Sequence, residues 1–300
     1  MVARSPLPER RRRALRTPLL ALALTLPACS DAVVDVEVAD EAPVQAGRYG
    51  LVVISAELGQ PGVAISGQWM EYDGMGRAEA LMTLAAPEHA LLAEAPPSMG
   101  TCRLLDAEAG RPGPGGQIDR LDAGPLRVAA PAPLLDAVLV APRELPPLVA
   151  ALAGVVYDAD AELPYLAGGR YTVQAEGADV APVSAEVESP LPTWIAGHQL
   201  DDAGLEVRLG GAADPVVLLS RQAGSRALFA ACRPIEGADT LRIPPEALRH
   251  LGAGPASLAA LRIARTPLVA EGLDGALLFV TRDATELTLP EPGIPEEPFR

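Results

Sequence analysis

The chain contains no lysine and no asparagine. Without lysine there is no P-loop amine to meet a phosphate, no Schiff base and no Ser-x-x-Lys nucleophile. Without asparagine there is no N-glycosylation sequon. Aromatic residues make up 3% of the 300 residues, and Trp69 and Trp194 are the only tryptophans. The core must therefore be aliphatic, built of Val, Leu, Ile and Ala, and a ring-lined glycan groove is not expected. His89, His198 and His250 are scattered, with no second ligand at metal-site spacing; zinc needs three or four clustered nitrogen or sulfur ligands. Neither Gly-x-Ser-x-Gly nor His-Glu-x-x-His occurs. Two uncharged apolar runs, Pro18 to Ala28 and Leu145 to Tyr157, hold 11 and 13 residues. Both fall short of the roughly 20 that cross a bilayer as a helix.

Positive charge is concentrated at the start. Arg4, Arg10, Arg11, Arg12, Arg13 and Arg16 face one acid, Glu9, and precede the run Pro18 to Ala28. Basic residues followed by a short apolar stretch form the n- and h-regions of a cleaved secretory signal. The stretch ends in Leu26-Pro27-Ala28-Cys29. An aliphatic residue, a variable one, a small one and then Cys resemble the lipobox of bacterial lipoproteins, although Pro27 departs from the usual small or β-branched residue. The resemblance implies that residues 1–28 are removed and that Cys29 becomes a lipidated N-terminus. The alternative is an ordinary signal peptide cut near Ala28, leaving Cys29 unmodified. Arg11-Arg12 matches a twin-arginine export signal only loosely. Under the enterobacterial sorting rule, Ser30 after the cysteine suggests retention at the outer membrane. The expected location is the cell envelope, lipid-anchored, at the outer membrane or the periplasmic face.

Without residues 1–28, 18 Arg face 38 acids, a formal charge of −20. Such a surface repels nucleic acid and anionic headgroups, so neither is an expected partner. Two cysteines, Cys102 and Cys232, remain once Cys29 carries lipid. An even pair in an oxidising compartment favours a disulfide; two buried free thiols are the alternative.

Along the chain, residues 29–47 read as an acidic tether. Strands are expected at Tyr49 to Ile54 and Val63 to Tyr72, with a hairpin turn at Asp73-Gly74-Met75-Gly76 leading into Ala78 to Leu84. Glu88 to Ala95 reads as one or two helical turns. Further strands are expected at Thr101 to Leu105, Leu126 to Val128, Val138 to Val140, Gly168 to Ala175 and Val183 to Val187. Pro190 and Pro192 suggest a boundary. Beyond it, Leu205 to Leu209, Val216 to Ser220, Ala227 to Arg233, Thr240 to Ile243, Leu258 to Ala264, Ala276 to Thr281 and Glu286 to Leu289 keep a strand rhythm of roughly 10 residues. Pro244-Pro245-Glu246 opens a short helix that Gly252 stops. The expected fold is mainly β: antiparallel, Ig-like sandwich domains at 48–189 and 190–290, with a loose tail at 291–300. The segments GTC (100–102), LDAGPLRV (121–128), GGRYTV (168–173) and IPPEAL (243–248) are similar to uncharacterised envelope lipoproteins of GC-rich proteobacteria, a group with no activity to lend.

Asp158-Ala159-Asp160-Ala161-Glu162 places three carboxylates at alternate positions in an expected loop. Hard oxygen ligands at that spacing suit Ca²⁺, although the glycine and distant glutamate of an EF-hand are missing. The expected function is a non-enzymatic binding or scaffolding role at the envelope, with an envelope protein or polymer as partner and no cofactor beyond the lipid. The alternative is a carboxylate-based, calcium-dependent hydrolase of an extracellular or cell-wall polymer.

Overall fold

The computed structural model describes residues 35–37, 45–84, 87–93, 95–108, 116–131, 137–141, 143–144, 155–161 and 163–291. The leader, Cys29, most of the tether, Glu162 and residues 292–300 lie outside them. The first part of the chain forms β1 (Asp35–Glu37), β2 (Gln45–Glu57), β3 (Val63–Met75), α1 (Arg77–Leu84), α2 (Pro87–Ala93), β4 (Thr101–Glu108) and β5 (Gln117–Arg120). The middle forms β6 (Leu126–Ala129), β7 (Ala137–Val140), β8 (Arg143–Glu144), β9 (Val155–Ala161), β10 (Arg170–Ala175) and β11 (Val183–Glu188). The last part forms β12 (Thr193–Asp201), β13 (Gly204–Gly211), β14 (Val216–Ala223), β15 (Arg226–Cys232), β16 (Thr240–Ile243), α3 (Pro245–Leu251), β17 (Gly254–Pro267) and β18 (Asp274–Leu289).

The architecture is mainly β, with sheets packed face to face as expected. An 11-stranded sheet runs β1-β4-β15-β14-β17-β18-β2-β3-β9-β8, with β5 joined to β3. A four-stranded sheet, β11-β10-β6-β7, and a three-stranded sheet, β12-β13-β16, complete the set. Most pairs are antiparallel; β18–β2 and β1–β4 are parallel. The described strands do not divide at residue 190. Strands from both sides of it hydrogen-bond in the large sheet. What changes near Pro190 is the sheet, from β11 to β12.

The period-two alternation of side chains sets the layers. On β14, Val217 and Leu219 face one side and Val216 and Leu218 the other, and all four are buried. On β18, Leu277 and Phe279 face the first side and Leu278 and Val280 the second. The four-stranded sheet covers the first face through Val128, Tyr171 and Val173, and the three-stranded sheet covers it through Leu205, Val207 and Leu241. The second face packs on α1 and α2 through Leu81, Leu91 and Leu92. Strands buried on both faces read as continuous apolar runs, which explains VVLL at 216–219 and ALLFV at 276–280.

Helix α1 touches β2, β3 and also β4. Five strands separate β3 from β4, about 29 Å across a flat sheet at ~4.8 Å per strand. A helix of eight residues is about 12 Å long, too short to bridge that gap. The sheet therefore curls around α1, and its second face is concave.

Three expectations about local structure change. Residues 77–84 are helix α1 and not a strand, because β3 continues through Asp73-Gly74 to Met75 instead of turning back. The acids at 158 and 160 lie in β9 rather than a loop, because Ala159 and Ala161 alternate inward and supply the strand's apolar face. Ala276 to Thr281 and Glu286 to Leu289 are one strand of 16 residues, β18, held along its length by β17. Helix α3 opens at Pro244-Pro245, and the Gly252 N–H closes it on Leu248 O at 2.9 Å, as its sequence signals indicate.

Candidate functional site

The concave face narrows to small residues at one end. Read across the sheet, Val280 pairs with Ser55, Ser55 with Ala64, and Ala64 with Asp160. In the neighbouring row Val53 pairs with Ser66, and Ser66 with Asp158. Ser55 and Ala64 are too short to fill the space under α2, and a recess of about 430 Å³ remains. Glu57 and Arg282, opposite each other across β2 and β18, form one wall. Glu88, His89 and Leu92 of α2 form the roof.

The electrostatics of the recess centre on Arg282. Its Nη1 lies 3.1 Å from Glu57 Oε1 and its Nε lies 3.6 Å from Glu88 Oε1. One guanidinium thus holds the sheet wall and the helical roof together. His89 Nδ1 lies 3.4 Å from Ser66 Oγ. Burial disfavours the charged imidazole and lowers its pKa; the carboxylates of Glu88 and Asp158 oppose the shift without cancelling it. Asp158 and Asp160 are exposed, point to the same side of β9 and lie about 7 Å apart.

The cysteines predicted to pair do so. Cys102 of β4 lies directly opposite Cys232 of β15, with Cα atoms 4.0 Å apart and sulfurs at bonding distance. Both are fully buried. Cys29 lies outside the described residues. So does Glu162, leaving Asp158 and Asp160 of the candidate calcium set. Among the described residues no three His, Cys, Asp or Glu side chains converge to hold a metal ion. His198 is exposed on β12, and His250 donates from Nε2 to Leu105 O at 3.2 Å. Of the three histidines, only His89 reaches the recess.

The sequence reading missed the recess itself. Its walls come from β2, β3, β9, β18 and α2, spread over more than 220 residues (Ser55 to Arg282). The signal that was present is the pair of small residues, Ser55 and Ala64, inside otherwise bulky strands. A second missed feature is β12, which carries Trp194. Its run of Gly197, His198 and Gln199 hides the strand pattern.

Tyrosine hydroxyls hold the four-stranded sheet against its neighbours. Tyr157 donates to Asp122 Oδ1 at 2.7 Å and accepts from Ala123 N at 3.0 Å. Burial, followed by the Asp122 hydrogen bond, pushes its pKa up. Tyr171 donates to Pro164 O at 2.6 Å and accepts from Leu166 N at 3.0 Å.

No protein-family model matches the chain, and no curated protein matches it in sequence.

Proposed function

We propose that this protein is an envelope lipoprotein, anchored through Cys29, that binds a surface component and does no hydrolytic chemistry. The order of basic residues, short apolar run and Leu26-Pro27-Ala28-Cys29 supports the anchor. One observation supports binding over hydrolysis. Glu57 and Glu88, two of the three carboxylates that line the recess, share Arg282, which leaves Asp160 as the third. A hydrolase of the two-carboxylate type needs one acid held protonated and a second free to act as base or nucleophile. A guanidinium paired with both lies between them, where a substrate or water would have to sit.

Mass spectrometry of the mature protein tests the anchor. The expected N-terminus is a diacylglyceryl-modified Cys29, and globomycin should block its processing. An unmodified Cys29 overturns the anchor. Release of reducing ends from cell-wall or extracellular polysaccharide, abolished by Glu88→Gln, would establish the hydrolase reading instead.

A further inference from the structure

Both tryptophans lie flat on glycine backbone. Trp69 covers Gly50 and Gly67: a Cβ on either glycine would sit 2.9 Å from the indole. Tyr157 then closes over Trp69, edge to face with ring centroids 4.8 Å apart, leaving it 1% exposed. Trp194 repeats the arrangement without the cover. Its cross-strand partner on β13 is Gly210. A Cβ there would meet the indole nitrogen at 2.4 Å, and one on Gly211 would meet Cζ3 at 2.6 Å. Trp194 remains 45% exposed.

The next pair on the same face, beyond Ile195 and Leu209 and a register shift, is the reciprocal. Gly197 on β12 faces Arg208 on β13, and a Cβ on Gly197 would lie 2.8 Å from the Arg208 guanidinium. Gly197 and Gly210 have no positive φ, so neither is needed for its backbone conformation. Their missing side chains let two planar groups lie down side by side on the outer face of β12 and β13. Arg208 is exposed and, among the described residues, makes no hydrogen bond or ion pair. The chain's net negative charge repels a polyanion at long range, but that repulsion is screened within about 10 Å at 0.1 M salt, and at contact an exposed arginine beside an open indole offers one acid from outside a local partner.

We propose that Trp194 and Arg208 form a binding site for an acidic saccharide. The flat C–H face of a pyranose stacks on the indole, as apolar surface does on an aromatic face. A uronate carboxylate is received by the guanidinium, whose planar fork matches a carboxylate. This deepens the binding role proposed above by naming its ligand class, and it rests on that role only for access to envelope polymer.

The test uses the detergent-solubilised full chain. Oligogalacturonate is titrated in while tryptophan emission and acrylamide quenching are followed; a neutral cello-oligosaccharide serves as comparison. The site predicts saturable binding that protects the exposed tryptophan, prefers the acidic oligosaccharide at least ten-fold, and weakens with added salt because the charge pair is exposed. Trp194→Ala should lower affinity at least ten-fold. Arg208→Gln should remove the preference for acid while leaving the weaker neutral binding. Gly210→Ala keeps the tryptophan but lifts it from its seat, and should weaken binding in a protein with unchanged circular dichroism. No change in emission or quenching with oligogalacturonate overturns the site, as does equal affinity for the neutral oligosaccharide, or wild-type affinity in Trp194→Ala or Arg208→Gln. Failure here leaves the state of Cys29 untouched, so the anchor stands or falls on its own measurement.

Discussion

His89 is the residue where burial and charge oppose each other most directly. On α2 it lines the recess with Glu57, Glu88, Asp160 and Arg282, in the field of Asp158, and burial lowers its pKa. The unfolded chain takes up this proton near pH 6.5, and the folded protein only at lower pH. Between the two values the unfolded state binds more protons, so stability rises with pH across that window. Stability should therefore fall as pH drops from 7 to 5, and His89→Gln should flatten the slope. Carboxylates as a class titrate near pH 4, outside this range. Urea midpoints at several pH values measure it; equal slopes in the two proteins refute the assignment. A second residue-scale expectation concerns Gly204. Its φ is +126° and a Cβ there would lie 2.2 Å from Ile243 O. Gly204→Ala should cost about 2–4 kcal/mol by denaturant unfolding, since the backbone cannot retreat from the carbonyl. Neither effect was legible in the sequence, because both depend on what another strand places opposite the residue.

The three-stranded sheet is tied along its outer side by Arg242 of β16. Its Nη1 meets both Asp201 oxygens at 2.8 and 3.0 Å, and its Nη2 meets Glu206 Oε2 at 2.8 Å. The arginine side chain is 8% exposed. The Arg242 hydrogen bonds hold the Asp201 carboxyl below its usual range. A depressed carboxylate stabilises the fold above its unfolded pKa, and the contribution is lost as pH falls through the folded value. Asp201→Asn should thus lower the unfolding midpoint at pH 6, and the gap to wild type should close as the pH is taken below 4; a gap independent of pH would overturn this. Across β4 and β15, the Cys102–Cys232 bridge closes a loop with a sequence separation of 130. Chain entropy assigns such a closure about 5 kcal/mol. Reduction, or the double Cys→Ser change, should lower unfolding stability by up to that amount, read from denaturant curves with and without reductant. Elements with strong alternation, such as β10 and β13, were readable from sequence. Helix α1 was not, because RAEALMTL follows a glycine pair that looks like a hairpin turn, and only the continuation of β3 rules the turn out.

Over the whole molecule, the order of strands in space departs from their order in the chain. β2, near the start, pairs in parallel with β18, near the end, and β4 pairs with β15. Both halves of the chain contribute strands to the 11-stranded sheet. Cutting the chain after Ser189 should therefore leave neither half folded, and the intact protein should unfold in one transition that far-ultraviolet and near-ultraviolet circular dichroism report alike. Folded halves would refute this. Sequence alone determined the class: aliphatic runs bounded by Gly and Pro make strands, and two buried faces make those runs continuous. It also supplied the cysteine pair and the α3 boundaries, because parity of cysteines and helix-end chemistry are local or countable. Only the tertiary structure decided which strands are neighbours, that the sheet curls around α1, that Ser55 and Ala64 meet to leave a recess, and that one tryptophan is covered while the other is open. Those outcomes depend on register between strands far apart in sequence, and a period of two fixes which face a side chain takes without fixing what it will face.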